Sequence, residues 1–515
     1  MKQIHHPASK MTNFRWVMCA MLFVATTINY LDRQVLSLTW DEFIKPEFHW
    51  NDDIYGTITA WFSIFYAISM LFAGKFVDWM GTKRGYLWAI GVWSFGACLH
   101  AVCGIFTESW VGLGSAAELA RATGDTAVVV ATVSMYCFLV ARSVLALGEA
   151  GNFPAAIKVT AEYNPKKDRA FSTSIFNAGA SVGALISPLT IPLLAKAYGW
   201  EMAFIIIGAL GFIWMGFWIF LYTAPEKNKL VNQAELEYIE QDKAEETPAP
   251  KATVSAPEKK ISFLQSFTYK QTWAFAFGKF MTDGVWWFFL FWTPSYLKAN
   301  FGIKTTEGLG MALIFTLYAI TTVLSIYGGK LPTVFINRSG QNPYAARMKA
   351  MLIFAFFPLC VLLAQPLGEW FTPSLGQNAA WLSVLMISMG CAAHQAWSAN
   401  IFSTVGDMFP KSSIATITGI GGMAGGLGSM FLQKSAGSLF TYASGSTMKD
   451  GNLVEMTKEL VEQGFTYVRE PLTFLGFEGK PAGYFIIFCI CAVAYLLGWL
   501  VMKALVPKYK PITNL

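Results

Sequence analysis

The sequence contains few charged residues for its length. Only 14% of its 515 residues are Asp, Glu, Lys or Arg, and 54% are hydrophobic, whereas ordinary soluble domains carry about 25% charged residues. The hydrophobic residues also occur in long runs, and Ala203–Tyr222 and Gly483–Met502 contain no charge at all. A membrane-spanning helix needs about 20 mostly apolar residues. The composition therefore excludes a soluble core and predicts a polytopic helical membrane protein.

Sequence signals for metal binding, ATP hydrolysis and covalent catalysis are missing as well. The eight cysteines fall within apolar stretches without the paired spacing of a metal site, so we interpret them as small packing residues. No Gly-Lys-Ser/Thr follows the glycine-rich segment Gly419–Gly428, which argues against a phosphate-binding loop and favours close helix packing. The apolar stretches also lack a nucleophile–base arrangement. We expect neither an enzyme nor a bound cofactor.

Twelve candidate membrane-spanning segments follow one another along the chain. They lie at residues 14–36, 54–76, 85–106, 127–152, 169–194, 202–223, 272–298, 307–328, 346–366, 379–404, 412–441 and 483–504. Lys and Arg collect at the second, fourth and eighth connections, whereas the first and third loops are acidic or mixed. By the positive-inside rule both termini are cytoplasmic, in the inner or plasma membrane of a cell. The net charge of +6 follows from this topology and requires no nucleic-acid partner.

The longest break between segments divides them six and six. We predict an N-terminal six-helix half at 1–223, a charged, partly flexible cytoplasmic linker at 224–270 and a C-terminal six-helix half at 271–515, a layout common among transporters built from repeats. A faint internal repeat supports the division, since Gly329-Lys330 occupies the place that Gly74-Lys75 has in the first half. Two insertions, 108–125 and 444–480, either cover the outer mouth or are tolerated loops; we favour loops.

The segment Gly74-x-x-x-Asp78-x-x-Gly81-x-Lys83-Arg84 resembles the signature of the major facilitator superfamily. We assign its Gly74, Asp78, Gly81 and Arg84 a gating or structural role. Further segments are similar to the anion:cation symporter branch of that superfamily, which takes up organic anions with protons or other cations. These segments are Asn29–Arg33, Arg142–Pro154, Asp283–Phe288, His394–Asn400 and Asp407–Pro410.

The resemblance covers nearly the whole chain and is nearest to hexuronate-transporter-like members. It implies an all-α fold with twelve transmembrane helices in two pseudo-symmetric halves. Three positions depart from the pattern: Thr333 stands where the first repeat has Asp78, Gly284 where many relatives have proline, and Ala180 where some sugar-acid members have a polar amide. The last departure weakens any transfer of substrate identity.

Among the ionisable residues within the apolar segments, the first candidates for function are Asp32, Arg33, Arg142 and Glu149. A charge inside a membrane span costs about 2.5–3.5 kcal/mol on insertion scales, so it needs a partner or a water-filled cavity. A guanidinium group stays charged and matches the geometry of a carboxylate. The resemblance implies that Arg33 contacts the substrate anion and that Asp32 takes part in proton coupling.

Arg142 and Glu149 lie two turns apart on nearly one face of a helix, about 10 Å along its axis. Two interpretations remain open. In the first, Arg142 and Glu149 form a structural ion pair. In the second, Arg142 binds an anion, and the arrival of this anion makes Glu149 gain or lose a proton. We assign substrate binding to Arg33 and Arg142, and proton coupling to Glu149 with Asp32.

Polar and aromatic side chains in other segments are candidate contacts for substrate hydroxyls. In the tenth segment these are His394, Gln395, Trp397, Ser398 and Asn400; in the N-terminal half they are Tyr30, Tyr66 and Asn177. The histidine is equally well explained as a packing residue.

The seventh segment offers two further open choices. Lys279 and Asp283, four residues apart on one helix face, either neutralise each other or have a function. Trp286, Trp287 and Tyr296 form either an interfacial belt or a platform for a sugar ring.

These features together predict a proton-coupled symporter that imports a carboxylated sugar, such as glucuronate, galacturonate or an aldonate. The two halves would rock around one site at the bilayer midplane, in a monomer whose partners are the anion, protons and the lipid bilayer. Transport of another organic anion, coupling to sodium, and a passive facilitator or receptor on the same fold remain alternatives. A facilitator or receptor would not need a titratable Glu149.

Overall fold

The computed structural model describes residues 10–245, 263–340, 342–409, 413–449 and 451–512. Part of the predicted linker, residues 246–262, lies outside the described residues. The N-terminal part consists of ten helices and one π-helical turn, Trp40–Ile44. The helices are α1 (Phe14–Thr39), α2 (Lys45–Phe48), α3 (Asp52–Met80), α4 (Thr82–Ala101), α5 (Cys103–Val111), α6 (Ala116–Arg121), α7 (Gly124–Glu149), α8 (Asn152–Tyr163), α9 (Lys166–Tyr198) and α10 (Trp200–Leu221).

The remaining elements form the linker and the C-terminal part. The helices are α11 (Gln233–Glu245), α12 (Phe263–Ser266), α13 (Lys270–Phe301), α14 (Gly308–Ser339), α15 (Pro343–Phe356), α16 (Ala364–Leu375), α17 (Ala380–Met408), α18 (Ile414–Ala443), α19 (Lys458–Glu462) and α20 (Lys480–Leu505). The 3-10 turns are Pro225–Lys227, Phe357–Leu363 and Gly376–Ala379.

The predicted membrane segments coincide with helical residues. By length and composition, eight of the described helical stretches could cross a membrane, or nine if the bent pair α4–α5 is a single span. One of the eight, Pro343–Met408, contains two predicted segments. Long helices are the expected result, because a backbone in lipid must satisfy its hydrogen bonds within its own segment.

Glycines bring the two halves into close contact. Helix α3 of the N-terminal half packs along α18 of the C-terminal half, and a Cβ atom on Gly56 would lie 2.8 Å from the Cα atom of Gly437. Within the C-terminal half, a Cβ atom on Gly428 would collide with the carbonyl oxygen of Phe280. The expectation of close helix packing around Gly419–Gly428 is therefore confirmed.

Ion pairs join the halves at one end of the bundle. The C-terminal ends of α1, α13 and α18 lie there beside the N-terminal end of α3: the Nζ atom of Lys298 is 3.5 Å from Asp41, and that of Lys434 is 2.7 Å from Asp53. Both described termini lie at the other end, where α1 begins and α20 finishes. We call the end opposite the termini the distal end.

The insertion at 444–480 is folded, so the protein is not built from helices alone. Strands β1 (Ser446–Lys449) and β2 (Asn452–Glu455) pair antiparallel, as do β3 (Thr473–Phe474) and β4 (Phe477–Glu478). This insertion was expected to be a tolerated loop. It forms instead a small ordered unit at the distal end, because backbone groups of its strands bond to one another.

Part of the predicted linker is a helix attached to the N-terminal half. The buried Glu235 carboxylate of α11 accepts hydrogen bonds from the backbone nitrogens of Phe14 and Arg15, each at 3.0 Å, at the start of α1. The Tyr238 hydroxyl donates to Asp168 of α9 at 2.8 Å. In its described residues the linker thus ties α1 to α9.

Candidate functional site

A buried ion pair joins α1 and α7. The Nη2 and Nε atoms of Arg33 donate to Oε2 of Glu149 at 2.8 and 3.1 Å, and the two residues are 4% and 1% exposed. The interpretation that Glu149 is paired with Arg142 is therefore wrong. Arg142 lies two turns away along the same helix, whereas α1 places Arg33 beside the carboxylate.

Arg142 is almost completely buried and incompletely bonded. Among the residues that the structure describes, no group accepts a hydrogen bond from its Nε or Nη1 atom. Its guanidinium carbon lies 5.2 Å from the centroid of the Phe62 ring. A buried cation with free donors is costly unless a partner is supplied, and a carboxylate is the partner that suits its planar fork.

Asp32 is the fourth charge of this cluster. It is 1% exposed, and within the described chain its carboxylate oxygens make no well-aligned hydrogen bond, although the Trp93 side chain lies near enough to interact with them. It interacts electrostatically with Glu149 and Arg142. The cluster thus contains two cations and two carboxyl groups, of which only Arg33 and Glu149 are directly bonded.

Aromatic rings surround the Arg33 guanidinium group, and we call this arrangement the Arg33 cage. The centroids of Tyr30, Phe62, Tyr66 and Trp287 lie 5.2, 5.8, 4.9 and 5.3 Å from its central carbon, within the range of cation–π attraction. The first three rings belong to α1 and α3, and Trp287 comes from α13 of the other half. The structure therefore places Tyr30 and Tyr66 at the site as candidates.

Two residues of the cage were not among the chosen site residues. Phe62 lies one helical turn before Tyr66, and this four-residue spacing of aromatics on α3 was the available signal. Trp287 was considered only as a belt residue or a sugar platform. Its contact with Arg33 depends on how the two halves are apposed, and no local pattern in the sequence encodes that.

The tenth-segment candidates contact mainly other parts of the C-terminal half. The Nδ1 atom of His394 is 2.8 Å from the Tyr495 hydroxyl, and its ring stacks on Trp286 with the centroids 5.5 Å apart. The Trp397 ring meets Tyr495 edge-on at 5.5 Å, and Asn400 donates to a carbonyl of its own helix at 2.7 Å.

The other polar candidates are more accessible. Gln395 and Ser398 are half-buried on α17, and Asn177 is exposed on α9. In the described structure the hydrogen bonds and ring contacts of Arg33 involve α1, α3, α7 and α13. Recognition of hydroxyl groups by Asn177 and by α17 stays a prediction.

Lys279 and Asp283 neutralise each other. Lys279 Nζ lies 2.8 Å from Asp283 Oδ2 across one turn of α13, as their spacing predicts. The lysine also lies 4.2 Å from the centroid of the Phe402 ring. Because the two opposite charges neutralise each other, both residues can lie within an apolar helix.

The signature motif forms the turn between α3 and α4. Gly81 adopts φ +79°, a left-handed conformation that favours glycine, and Asp78 accepts a hydrogen bond from Lys158 of α8 at 2.8 Å. Gly74 is half-buried and Arg84 is exposed. These contacts account for a structural role of Gly81 and Asp78, and a gating role of the motif stays a prediction.

Comparison with known proteins agrees with this architecture. Residues 22–432 match the family model of the Major Facilitator Superfamily. The chain is 28% identical over 432 residues to the hexuronate transporter of Escherichia coli K12, a match covering 84% of this chain and 88% of that protein. It is 27% identical over 326 residues to the galacturonate transporter of Dickeya chrysanthemi, covering 63% of this chain and 84% of the relative.

Solved structures share the fold. A D-xylose–proton symporter superposes with a TM-score of 0.64 at 14% identity, covering 97% of this chain and 98% of its own. A bacterial homologue of the human lysosomal transporter Spinster, inward-facing and unoccupied, has a TM-score of 0.62 at 17% identity, covering 95% and 97%. With the family model matching most of its length, this chain belongs to the Major Facilitator Superfamily and is a multi-pass membrane transporter, not an enzyme.

Proposed function

We propose that the protein is a proton-coupled symporter that imports a carboxylated sugar by alternating access. The observation that carries the proposal is Arg142, a buried cation with unbonded donors, placed beside the Arg33–Glu149 ion pair. The curated relatives named for hexuronate and galacturonate transport support the substrate class.

The substrate carboxylate would bind at the two arginines. Arg142 supplies free N–H donors, and Arg33 lies near enough to share Phe62 with it as a ring contact. The Arg33 cage gives the remainder of the substrate apolar ring faces, on which the C–H face of a sugar can pack. A carboxylate satisfies donors that a neutral sugar leaves unpaired, so the site discriminates in favour of the anion.

Coupling to protons follows from competition for Arg33. A carboxylate that binds this arginine weakens its bond to Glu149, and a glutamate without its cation in a water-poor site takes up a proton more readily. When the substrate leaves, Arg33 returns to Glu149 and the proton is released. Asp32, which is buried and forms no ion pair among the described residues, is the second carboxyl group that can carry a proton.

The direction of transport depends on the orientation of the bundle. The alternation of basic and acidic loops favours cytoplasmic termini, so the distal end would face outward. The polar contacts between the halves at that end then close the outer side of the site. Substrate bound from outside would be released to the cytoplasm after the halves rock.

Uptake into proteoliposomes tests the proposal. Labelled glucuronate, galacturonate, an aldonate and a neutral hexose would be offered under an imposed proton or sodium gradient, with protein-free liposomes as the control. We expect an inward proton gradient to drive accumulation of at least one acid and of no hexose, and a protonophore to abolish it. Accumulation that follows only the sodium gradient, or equal uptake of acid and hexose, would contradict the proposal.

A further inference from the structure

The described residues of the 444–480 insertion, 444–449 and 451–480, which we call the distal insertion, are fixed at both ends to the C-terminal half. It begins where α18 finishes and runs directly into α20. Leu472 N donates to the carbonyl oxygen of Ala443 at 3.0 Å, and Ser446 pairs with Arg469 in an isolated bridge. Together with its two hairpins, these bonds make the insertion a structured body that moves with the C-terminal half.

The base of the distal insertion is bonded to the N-terminal half. Lys480 Nζ donates to Oδ1 of Asp52 at 2.8 Å and to the Ser295 hydroxyl at 3.2 Å. Asp52 is the first residue of α3, and its side chain is fully buried. Lys480 thus connects α3 of one half with α13 of the other. Glu455 of the insertion interacts electrostatically with Lys480, Asp52 and Lys45.

The tip of the insertion reaches the N-terminal half a second time. Asn452, at the start of β2, donates to the carboxylate of Asp125 at 3.3 Å. Asp125 stands in the first turn of α7, at the end of the other predicted insertion. The two insertions therefore contact each other across the boundary between the halves.

These contacts extend a polar seam that joins the halves. Glu42 accepts hydrogen bonds from the Thr306 hydroxyl at 2.7 Å and from Thr305, and Lys434 holds Asp53. In a transporter that works by rocking of its halves, contacts that close one side of the site must open when that side becomes accessible. The bonds of the distal insertion to Asp52 and Asp125 belong to this set.

We propose that the distal insertion is a clasp: it holds the distal side closed and detaches from the N-terminal half in every transport cycle. The strength of its contacts then sets the balance between the two access states, because an interaction present in only one conformation shifts the population towards it. The alternative is a fixed cover that keeps its contacts throughout the cycle. The proposal concerns the transport cycle and does not depend on which anion is carried.

A reversible cross-link distinguishes a clasp from a fixed cover. In the double variant D125C/N452C a disulfide would join the insertion to the N-terminal half, and we expect oxidation to reduce transport to background and reductant to restore it. The matched control is M448C/L453C, whose residues are paired within the β1–β2 hairpin and whose disulfide should leave transport unchanged. Full transport by oxidised D125C/N452C, or failure of this disulfide to form, would overturn the proposal.

A second experiment weakens the clasp and needs no substrate. Ser37, which is buried beside Asp41 and Lys298 at the distal end, is replaced by cysteine and labelled with a membrane-impermeant maleimide from the outside. Adding K480Q should raise the labelling rate about threefold or more, since the open population grows, and adding K304Q, at an exposed distal lysine, should not.

The double change D52N/K480Q removes both charges and controls for misfolding caused by a buried Asp52 that has lost its nearer cation and keeps only Lys45, at 4.0 Å. It should raise labelling as K480Q does. Unchanged labelling in both variants would contradict the clasp. If the clasp is correct and the proposed substrate is wrong, labelling still responds while sugar-acid uptake is absent.

Discussion

At the scale of single residues, the two buried arginines differ in what they are bonded to. Arg33 is held by Glu149 and by four aromatic rings, whereas Arg142 retains two nitrogens without an acceptor in the described structure. Removing one partner of a buried ion pair leaves an uncompensated charge and typically costs about 3–5 kcal/mol. Substitution of Arg33 therefore changes both the stability of the protein and its affinity for the anion. Substitution of Arg142 is the cleaner test of anion recognition.

Replacing Arg142 by alanine should abolish anion binding while the protein remains folded. Each hydrogen bond to a charged group contributes about 1.5–3 kcal/mol, so the loss of two weakens binding about a hundredfold or more. Lysine should restore little, because it lacks the planar fork. Binding of a labelled sugar acid to purified protein measures this, with R121A at an exposed arginine as the control. Unchanged affinity in monodisperse R142A would refute anion binding at this residue.

Replacing Glu149 by glutamine should preserve substrate exchange but abolish substrate accumulation. It is nearly isosteric with a protonated glutamate and keeps a hydrogen-bond acceptor for Arg33, so the fold should persist. Counterflow, which needs no net proton movement, should continue in E149Q, whereas accumulation driven by a proton gradient should collapse. D32N should show a milder defect. Both assays are run on the same vesicles, and full gradient-driven accumulation by E149Q would leave Glu149 as a structural partner of Arg33.

At the scale of elements, α11 acts as an external cap of α1. The first backbone N–H groups of a helix have no partner within it, and the buried Glu235 carboxylate supplies one to Phe14 and Arg15. The negative charge also matches the positive end of the helix dipole. The linker thus fixes the start of a helix that carries Asp32 and Arg33 about five turns further on.

Glu235→Ala should lower thermal stability without altering substrate selectivity. Loss of a helix cap costs about 0.5–2 kcal/mol, and the dipole interaction adds about 0.3–1 kcal/mol, so the Tm in detergent should fall by a few degrees. The control is E237A on the same helix, an exposed residue bonded only to its neighbour Gln233 among the described side chains. An equal fall in Tm in both variants would mean that α11 contributes to stability through its own helix formation and not through the cap that Glu235 provides to α1.

At the scale of the whole molecule, one contact between the halves lies at the candidate site and another lies at the distal end. Trp287 reaches from the C-terminal half into the Arg33 cage, and Lys480 reaches from the distal insertion to Asp52. If the halves rock as proposed, both contacts change together. The proposed mechanism then couples the state of the site to the closure of the distal side.

The class of protein, the position of its long helices and the identity of its buried charges can all be predicted from the amino-acid sequence. Apolar runs of sufficient length must form helices in lipid, since backbone hydrogen bonds cannot be made to water there. Charged residues inside such runs are conspicuous because burial is costly, which is why Asp32, Arg33, Arg142 and Glu149 stand out in the amino-acid sequence.

Which of these groups are bonded to one another depends on how the helices pack in three dimensions. Arg33 and Glu149 are 116 residues apart in the chain, and their contact depends on the rotation and crossing of α1 and α7. Trp287 contacts Arg33 from the opposite half. Lys480 donates a hydrogen bond to Asp52, which is 428 residues away in the chain. Local periodicity shows which face of a helix is apolar, but partners on different helices are chosen by packing, and packing depends on all the helices at once.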